Sequence, residues 1–353
     1  MTMQTDEIAA PAQAAPAALG RATARVPSGR AVAIVLAVCG AAVLPLVLHS
    51  FVIFQMTQVM IYALAILGLN ILTGYNGQFS LGHSAFYAIG AYCAAIMMSH
   101  WGIGYVWTLP AAGALCFVVG FVFGVPSLRL QGLYLALATF ALAAAMPQIL
   151  KFHPLEHFTG GVQGIIIDKP DPPFGLPIDA DQWLYYFTLV VLLVMFAGAA
   201  SLARSRSGRA IMAIRDNPTA AAAMGINTAL YKTLTFGVSA FYTGVAGALG
   251  AIVVQFVAPD SFSFFLSISF LVGLVIGGVG SIPGSLVGGL FVLFVPNIAE
   301  AVSTGLAGAI YGAIMLLVIF VMPSGAAGFA RVALAWATRT RHRFAPTRTE
   351  FRQ

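Results

Sequence analysis

No Asp, Glu, Lys or Arg occurs in residues 31–128. A helix that crosses a bilayer needs about 20 apolar residues, so several spans fit into this stretch. Backbone groups in hydrocarbon must be paired within the protein, which leaves helical bundles and closed barrels as the spanning folds. The apolar runs 234–258 and 302–322 lack the two-residue alternation of barrel strands. We therefore predict an all-α polytopic helical membrane protein.

The overall composition agrees with this fold class. Of 353 residues, 60% are hydrophobic and 8% are charged, whereas soluble domains carry roughly a quarter charged residues. Charges, prolines and polar clusters divide the chain into about ten predicted spans. These spans are 31–49, 52–72, 79–99, 105–126, 130–150, 183–203, 233–257, 263–280, 284–303 and 306–322.

The distribution of basic residues predicts the orientation of the spans, because basic loops stay in the cytoplasm. Residues 1–30 contain three Arg, residues 204–232 four Arg and one Lys, and residues 331–353 six Arg. The loop 151–182 has five acidic residues against two Lys. The predicted spans divide evenly around that loop, which places both termini and residues 204–232 in the cytoplasm. We therefore predict a multi-pass protein of the inner membrane whose loop 151–182 faces outward.

The predicted membrane domain, residues 31–325, lies between two tails. Residues 1–30 are rich in Ala and Pro and predict a disordered cytoplasmic tail. Residues 326–353 predict a basic cytoplasmic tail. Because the basic residues sit where topology requires them, the net charge of +6 predicts contact with the lipid bilayer and no nucleic-acid partner.

Residues 204–232, called the basic island below, interrupt the apolar sequence. Asn217 is a good N-cap, Pro218 suits the first helical position, and Gly225 suits the left-handed position after a helix end. These residues predict a helix of about two turns, which is marginal alone in water because helix nucleation is costly. Something must therefore brace it, and Ile211, Met212 and Ile214 just upstream offer an apolar face.

Two interpretations of the basic island stay open. One is a solvated loop that only sets the topology. The other is a docking element, in which Arg209 and Arg215 offer charge-assisted hydrogen bonds to carboxylates of a cytoplasmic partner. None of the three Lys residues completes a G-x-x-x-x-G-K-[ST] phosphate loop. Any ATP motor must therefore belong to another subunit.

Residues 73–90 combine glycines with polar side chains where membrane depth is expected. Irregular backbone is tolerated there only when it is buried in protein or lines a wet cavity. Transporter sites commonly use broken helices whose N-termini attract a carboxylate. The alternative is a Gly-rich helix crossing with satisfied polar side chains, in which His83 is simply packed and hydrogen-bonded. The candidate pathway residues are Asn76, Gln78, Ser80 and His83.

Small residues recur at helix-packing spacing, which lets helix backbones approach closely. Any single pair can arise by chance in a chain with 37 Gly, but together they predict a tightly packed bundle. The pairs are Gly120/Gly124, Gly273/Gly277, Gly284/Gly288 and Gly308/Gly312.

The sequence offers little support for an enzyme. His153, Glu156 and His157 match the H-x-x-E-H spelling of a zinc peptidase, but Pro154 disfavours a helix at His153 and no third ligand is evident. There is also no G-x-S-x-G nucleophile elbow. We predict no catalytic site, no metal and no cofactor.

Three stretches resemble the permease subunits of branched-chain amino acid ABC importers of the LivM type. The first comprises GRA at 208–210, AIRDN at 213–217 and AMGIN at 223–227. The second is GQFSLGHSAFYAIGAY at 77–92, and the third is GGVGSIPGS at 277–285. The resemblance covers about residues 31 to 325.

The resemblance implies a bundle that pairs with a second homologous permease, two cytoplasmic ABC ATPase subunits and a periplasmic substrate-binding protein. The basic island is then the ATPase-coupling loop. One departure is that family members often carry an acidic residue inside the coupling helix, where this chain has Thr219 and the run 220–223 of alanines. The implied coupling residues are Arg209, Arg215, Asp216, Asn217, Pro218 and Gly225.

Two other functions stay open. Permeases of urea or amide importers share this architecture, so the resemblance implies an importer permease but leaves its substrate open. An ion-coupled secondary carrier is less favoured, because intramembrane carboxylates mark ion coupling. The two candidates, Asp260 and Glu300, lie near predicted outer span ends, where we expect them to be interfacial or to face the binding protein. The loop 151–182 either receives that protein or is a spacer.

Overall fold

The computed structural model describes residues 28–130, 132–173, 178–303 and 305–321, together with Gly325 and Gly328. The two predicted tails therefore lie almost wholly outside the described residues. Residues 174–177 of the predicted outer loop lie outside them as well.

Helices make up about four fifths of the described chain, as the all-α prediction requires. A π-helical turn, Asn70–Tyr75, continues α2, and short 3-10 turns cover His153–Leu155 and Pro259–Phe262. Two short strands are β1, Ile165–Ile166, and β2, Phe256–Val257. The α-helices are α1 Ser28–Val47, α2 Ser50–Leu69, α3 His83–Ser99, α4 Tyr105–Ser127, α5 Leu133–Leu150, α6 Glu156–Thr159, α7 Ala180–Arg204, α8 Arg206–Asp216, α9 Pro218–Ala223, α10 Thr228–Val254, α11 Phe264–Gly277, α12 Gly284–Val302 and α13 Ala307–Val321.

Each predicted span is occupied by a helix in the structure. Within the described residues, six helices are long and apolar enough to cross a membrane. They are Ser50–Tyr75, Tyr105–Ser127, Leu133–Leu150, Ala180–Arg204, Thr228–Val254 and Gly284–Val302. Shorter apolar helices cover Leu36–Val47, Phe264–Gly277 and Gly308–Leu317. Helices form in these runs because all their backbone groups are paired within the segment, which hydrocarbon demands.

Helix α10 is the centre of the bundle and packs against α2, α3 and α4. In an apolar 18-residue stretch of α10, 83% of the residues are buried, whereas the corresponding share in α7 is 22%. Glycines allow the close approach, since a methyl group added at Gly90 would collide with the carbonyl oxygen of Gly244. Apolar α7 therefore leaves most of its surface for lipid or a partner, and α10 does not.

Three of the four predicted glycine pairs form helix contacts. Gly120 and Gly124 of α4 lie against α10. Helices α11 and α12 contact each other through facing glycines, which are Gly273 with Gly288 and Gly277 with Gly284. Nothing lies within 4 Å of a Cβ built at Gly308 or Gly312 in the described chain. The fourth pair therefore makes no contact there.

The segment after α5 is held to the segment after α10. Strands β1 and β2 pair in antiparallel register, with Ile165 opposite Val257. Lys151 Nζ lies 2.6 Å from Asp260 Oδ1, and Lys169 pairs with Asp181 at the same distance. The strand pair and the Lys151–Asp260 pair join the segments after α5 and α10, and the Lys169–Asp181 pair joins the segment after α5 to α7.

Candidate functional site

The basic island folds into two short capped helices. Ser205 Oγ accepts a hydrogen bond from Gly208 N at 3.0 Å and starts α8. Asn217 is extended, as residues before proline tend to be, and its Oδ1 accepts a hydrogen bond from Ala220 N at 3.0 Å. Gly225 adopts φ +81° after the end of α9. The prediction of a capped helix of about two turns at Pro218–Ala223 is confirmed.

The upstream helix is braced by the protein's own bundle. Ile211 and Ile214 of α8 are buried, so their side chains do not form part of the outer surface of the island. By contrast, every residue of α9 except Ala221 is exposed, and Met224 just after it is 83% exposed. Helix α8 is therefore packed against the bundle, and α9, which follows it, is exposed.

Arg215 points into the protein rather than only toward solvent. Its Nη1 donates to the carbonyl oxygen of Gly74 at 2.9 Å, and its Nε and Nη2 reach Asp216 Oδ1 at 2.9 Å each. Arg209 Nη1 donates to Arg204 O at 3.0 Å on the surface. Of the two arginines expected to meet a partner's carboxylates, Arg215 is therefore largely engaged within the chain.

The carbonyl that Arg215 holds belongs to the π-helical turn at the end of α2. A π-helical turn departs from i→i−4 bonding and is frequent at functional sites. Its first residue, Asn70, is fully buried. Asn70 Nδ2 donates to Ser281 O at 2.9 Å, and Asn70 Oδ1 accepts from Gly280 N at 2.8 Å.

Sequence reasoning missed Asn70. The signal that was available is a lone amide in an apolar run, because a buried amide must find partners for both its ends. Through Asn70 and Gly74, the π-helical turn joins the Gly-rich stretch 277–285 to the basic island.

Two of the four candidate pathway residues lie beside the basic island. Asn76 and Gln78 are buried, and Asn76 Nδ2 donates to Gln78 Oε1 at 2.8 Å. Both line a cavity of about 180 Å³ together with Arg215, Pro218 and Lys232. Two predicted pathway residues, Asn76 and Gln78, therefore line the same cavity as Arg215 and Pro218, two of the predicted coupling residues.

Ser80 and His83 are instead part of a buried hydrogen-bond chain. His83 Nδ1 lies 3.1 Å from Ser80 Oγ, and His83 Nε2 lies 2.8 Å from Ser239 Oγ. Ser239 Oγ donates to Gly68 O at 2.6 Å, so in the neutral ring Nε2 donates to Ser239 and Nδ1 accepts from Ser80. Both ring nitrogens are occupied, which favours the packed-histidine interpretation.

The first turn of α3 is also satisfied internally. Ser84 N donates to Ser267 Oγ at 2.8 Å, and Leu81 N just before α3 donates to Thr139 Oγ1 at 2.9 Å. These donors are therefore already used and are not free to receive a carboxylate in this arrangement.

The remaining candidates lie away from the cavity. Asp260 is paired with Lys151, and Glu300 is exposed. His157 accepts a hydrogen bond at its carbonyl oxygen from His100 Nε2 at 3.0 Å. Within the described residues, no group of three or more His, Cys, Asp or Glu side chains is placed to hold a metal ion.

Comparison with known proteins gives consistent relatives. LivM of Salmonella typhimurium, a high-affinity branched-chain amino acid transport system permease protein, is 35% identical over 249 residues, which are 64% of this chain and 58% of LivM. LivM of Escherichia coli is 36% identical over 248 residues, with the same coverage. LivH of Salmonella typhimurium is 28% identical over 289 residues, which are 76% of this chain and 91% of LivH.

The match to LivM thus spans less than two thirds of the length of those relatives. No solved structure matches the chain. The family model described as the permease component of the branched-chain amino acid transport system matches residues 51–319. The chain therefore belongs to this family of branched-chain amino acid transport permeases.

Proposed function

We propose that this chain is the transmembrane subunit of an ATP-driven importer for branched-chain or similar amino acids. It lies in the cell inner membrane, with the basic island and both termini in the cytoplasm, and forms the translocation pathway. The family match and the transport role in the relatives' names support the substrate class. The charge asymmetry of the loops supports the orientation.

One hydrogen bond carries the proposal of ATP coupling, that from Arg215 Nη1 to Gly74 O. It connects the exposed α9 and its support α8 to the π-helical turn inside the bundle. Asn70 of that turn continues the connection to residues 280–281. A displacement of α9 therefore reaches the bundle interior through hydrogen-bonded contacts rather than through a flexible loop.

The partners follow from this arrangement. Two cytoplasmic ATPase subunits supply the energy, because the sequence has no phosphate loop of its own. A second homologous permease completes the pathway, and a periplasmic binding protein delivers the substrate to the loop 151–182. Nucleotide closure of the ATPases pulls α9, and the bundle alternates between outward and inward openings. The permease itself has no catalytic residue.

The substitution Arg215→Glu tests the coupling role. It removes the bond to Gly74 and places a carboxylate next to Asp216, so uptake in vesicles holding the full importer should fall by about tenfold or more. Membrane insertion should be unchanged. The matched control is Arg129→Glu, which alters an exposed arginine outside the cavity. Equal uptake in the two variants, with equal recovery of the ATPases, would remove the coupling role.

A reconstitution experiment tests the class of transporter. Vesicles that hold only this chain should show no leucine uptake, and uptake should appear with ATP, the ATPases, the second permease and the receptor. Uptake by the chain alone under an ion gradient would instead establish a secondary carrier. Labelled urea, offered in parallel, separates an amide importer from an amino-acid importer.

A further inference from the structure

The cavity beside the basic island contains polar groups that nothing in the described chain satisfies. Lys232 is half-buried, and it takes part in none of the ion pairs or side-chain hydrogen bonds within residues 178–303 or the other described ranges. Asn76 Oδ1 is buried and has no hydrogen-bond partner there. An unpaired buried polar group such as Asn76 Oδ1 is costly.

The charge of the cavity lining points to an anion. Arg215 and Lys232 are both cationic, and no Asp or Glu belongs to the described residues that line the cavity. Asp216 neutralises part of the Arg215 charge from outside the lining, whereas Lys232 has no such counterion among the described residues. An anion bound here forms charge-assisted hydrogen bonds to these cations, which are stronger than hydrogen bonds between neutral groups.

The rest of the lining restricts which anion fits. Phe79, Leu135 and Ile214 contribute apolar surface beside the cations. A volume of about 180 Å³ is below the roughly 300–1,000 Å³ of pockets for drug-sized molecules, so the ligand is small. Asn76 Oδ1 is a buried acceptor without a partner, and a turn of this lining side chain toward the cavity would offer it to an N–H donor. A small molecule with a carboxylate, an ammonium group and an aliphatic side chain matches the cations, the Asn76 acceptor and the apolar lining in turn.

We propose that this cavity binds a free aliphatic α-amino acid from the side of the basic island. Its carboxylate pairs with Lys232 and with the N–H groups of Arg215 that Gly74 and Asp216 leave unused. Its ammonium group donates to Asn76 Oδ1 once that side chain turns toward the cavity, and its aliphatic side chain packs on Phe79, Leu135 and Ile214. The choice of an amino acid rests on the proposed transport function. Because the cavity is lined both by residues 76–79 and by the basic island, a bound amino acid stabilises the arrangement described here.

The experiment is equilibrium binding of labelled leucine to the purified full-length chain in detergent, without ATPases or receptor. Lys232→Gln should weaken binding by about tenfold or more, since it removes the unpaired cation. Lys232→Arg should keep most of the affinity. Arg129→Gln, which removes a nearby exposed arginine outside the cavity, should bind as the wild type does. Leucinol, which has no carboxylate, should not compete.

Several results would overturn the inference. One is equal leucine affinity in Lys232→Gln and wild type, and another is competition by leucinol as strong as by leucine. A third is displacement of leucine by phosphatidylglycerol but not by phosphatidylcholine, which would assign the cavity to a lipid headgroup. ATP-dependent uptake with no leucine binding to the chain would remove this site alone. Lys232-dependent binding without ATP-dependent uptake would remove the importer and keep the site.

Discussion

The two ends of helix α10 are built differently. At its start lie the basic island, the cavity and the unpaired Lys232. At its end, Gln255 turns the chain with φ +63°, β2 pairs with β1, and Lys151 pairs with Asp260. In the part of the chain that the structure describes, Asp260 at the end of α10 is paired with Lys151, whereas Lys232 at its start has no ionic partner.

The difference between the two ends bears on the proposed coupling. The contacts at the end of α10 join one loop to another. The contacts at its start join α8, the helix that precedes exposed α9, to the π-helical turn through Arg215 and Gly74. We infer that energy is transmitted at the start of α10 and that its other end is mainly structural.

The largest effect is expected for Asn70→Ala, at the α10 start. It leaves Gly280 N and Ser281 O without their side-chain partner in the bundle, at about 1–2 kcal/mol for each buried group, or roughly 2–4 kcal/mol in total. SDS titration of the purified chain measures the free energy of unfolding. Thr57→Val is the control, because the side-chain hydrogen bond that Thr57 makes within the described residues goes to Ile53 O of its own helix. Equal losses in both variants would contradict a bridging role.

A smaller effect is expected for Gly77→Ala. Gly77 has φ +73°, and a Cβ there would lie 2.9 Å from Arg215 Cγ. Gly102 is the matched control, with φ +61° and nothing within 4 Å. Both substitutions should cost about 1–2 kcal/mol of backbone strain. Only Gly77→Ala should also lower ATP-dependent uptake, because it displaces Arg215. If uptake falls equally in both, the link through Arg215 is not what matters.

Removal of the α9 cap should have a local effect. Asn217→Ala should cost about 1 kcal/mol of helix stability and speed amide hydrogen exchange at residues 220–225, with a moderate loss of uptake. Asn227→Ala removes an equivalent cap, the 3.0 Å bond from Leu230 N, from the long buried α10. It should leave exchange at residues 220–225 unchanged. Unaltered exchange in Asn217→Ala would show that α9 does not depend on its cap.

The smallest effect is expected at the α10 end. Lys151→Met breaks the pair with Asp260, whose side chain is 71% exposed. Exposed ion pairs contribute about 0–1 kcal/mol, so the free energy of unfolding and the uptake rate should barely change. A loss of uptake as large as that of Gly77→Ala would remove the contrast between the two ends of α10.

Much of the fold was predictable because its causes are local. Apolar runs specify spans, and each predicted span is a helix. The cap at Asn217 and the left-handed Gly225 were also predictable, since side-chain capping and φ preference act within a few residues.

The site was only partly predictable. Asn76 and Gln78 were singled out, but their place beside the basic island was not expected. His83 and Ser80 were grouped with them, although they belong to a separate hydrogen-bond chain with Ser239. The sequence shows which polar residues are unusual in an apolar segment and not which of them meet.

The sequence by itself determined the membrane fold, the helices and the caps, because hydropathy and capping depend on neighbouring residues. Only the tertiary structure decided that Asn70 bridges to Ser281, 211 positions away, and that Arg215 reaches Gly74, 141 positions away. The physical reason is that a buried polar group must be paired, and its partner is set by which helices pack together rather than by distance along the chain.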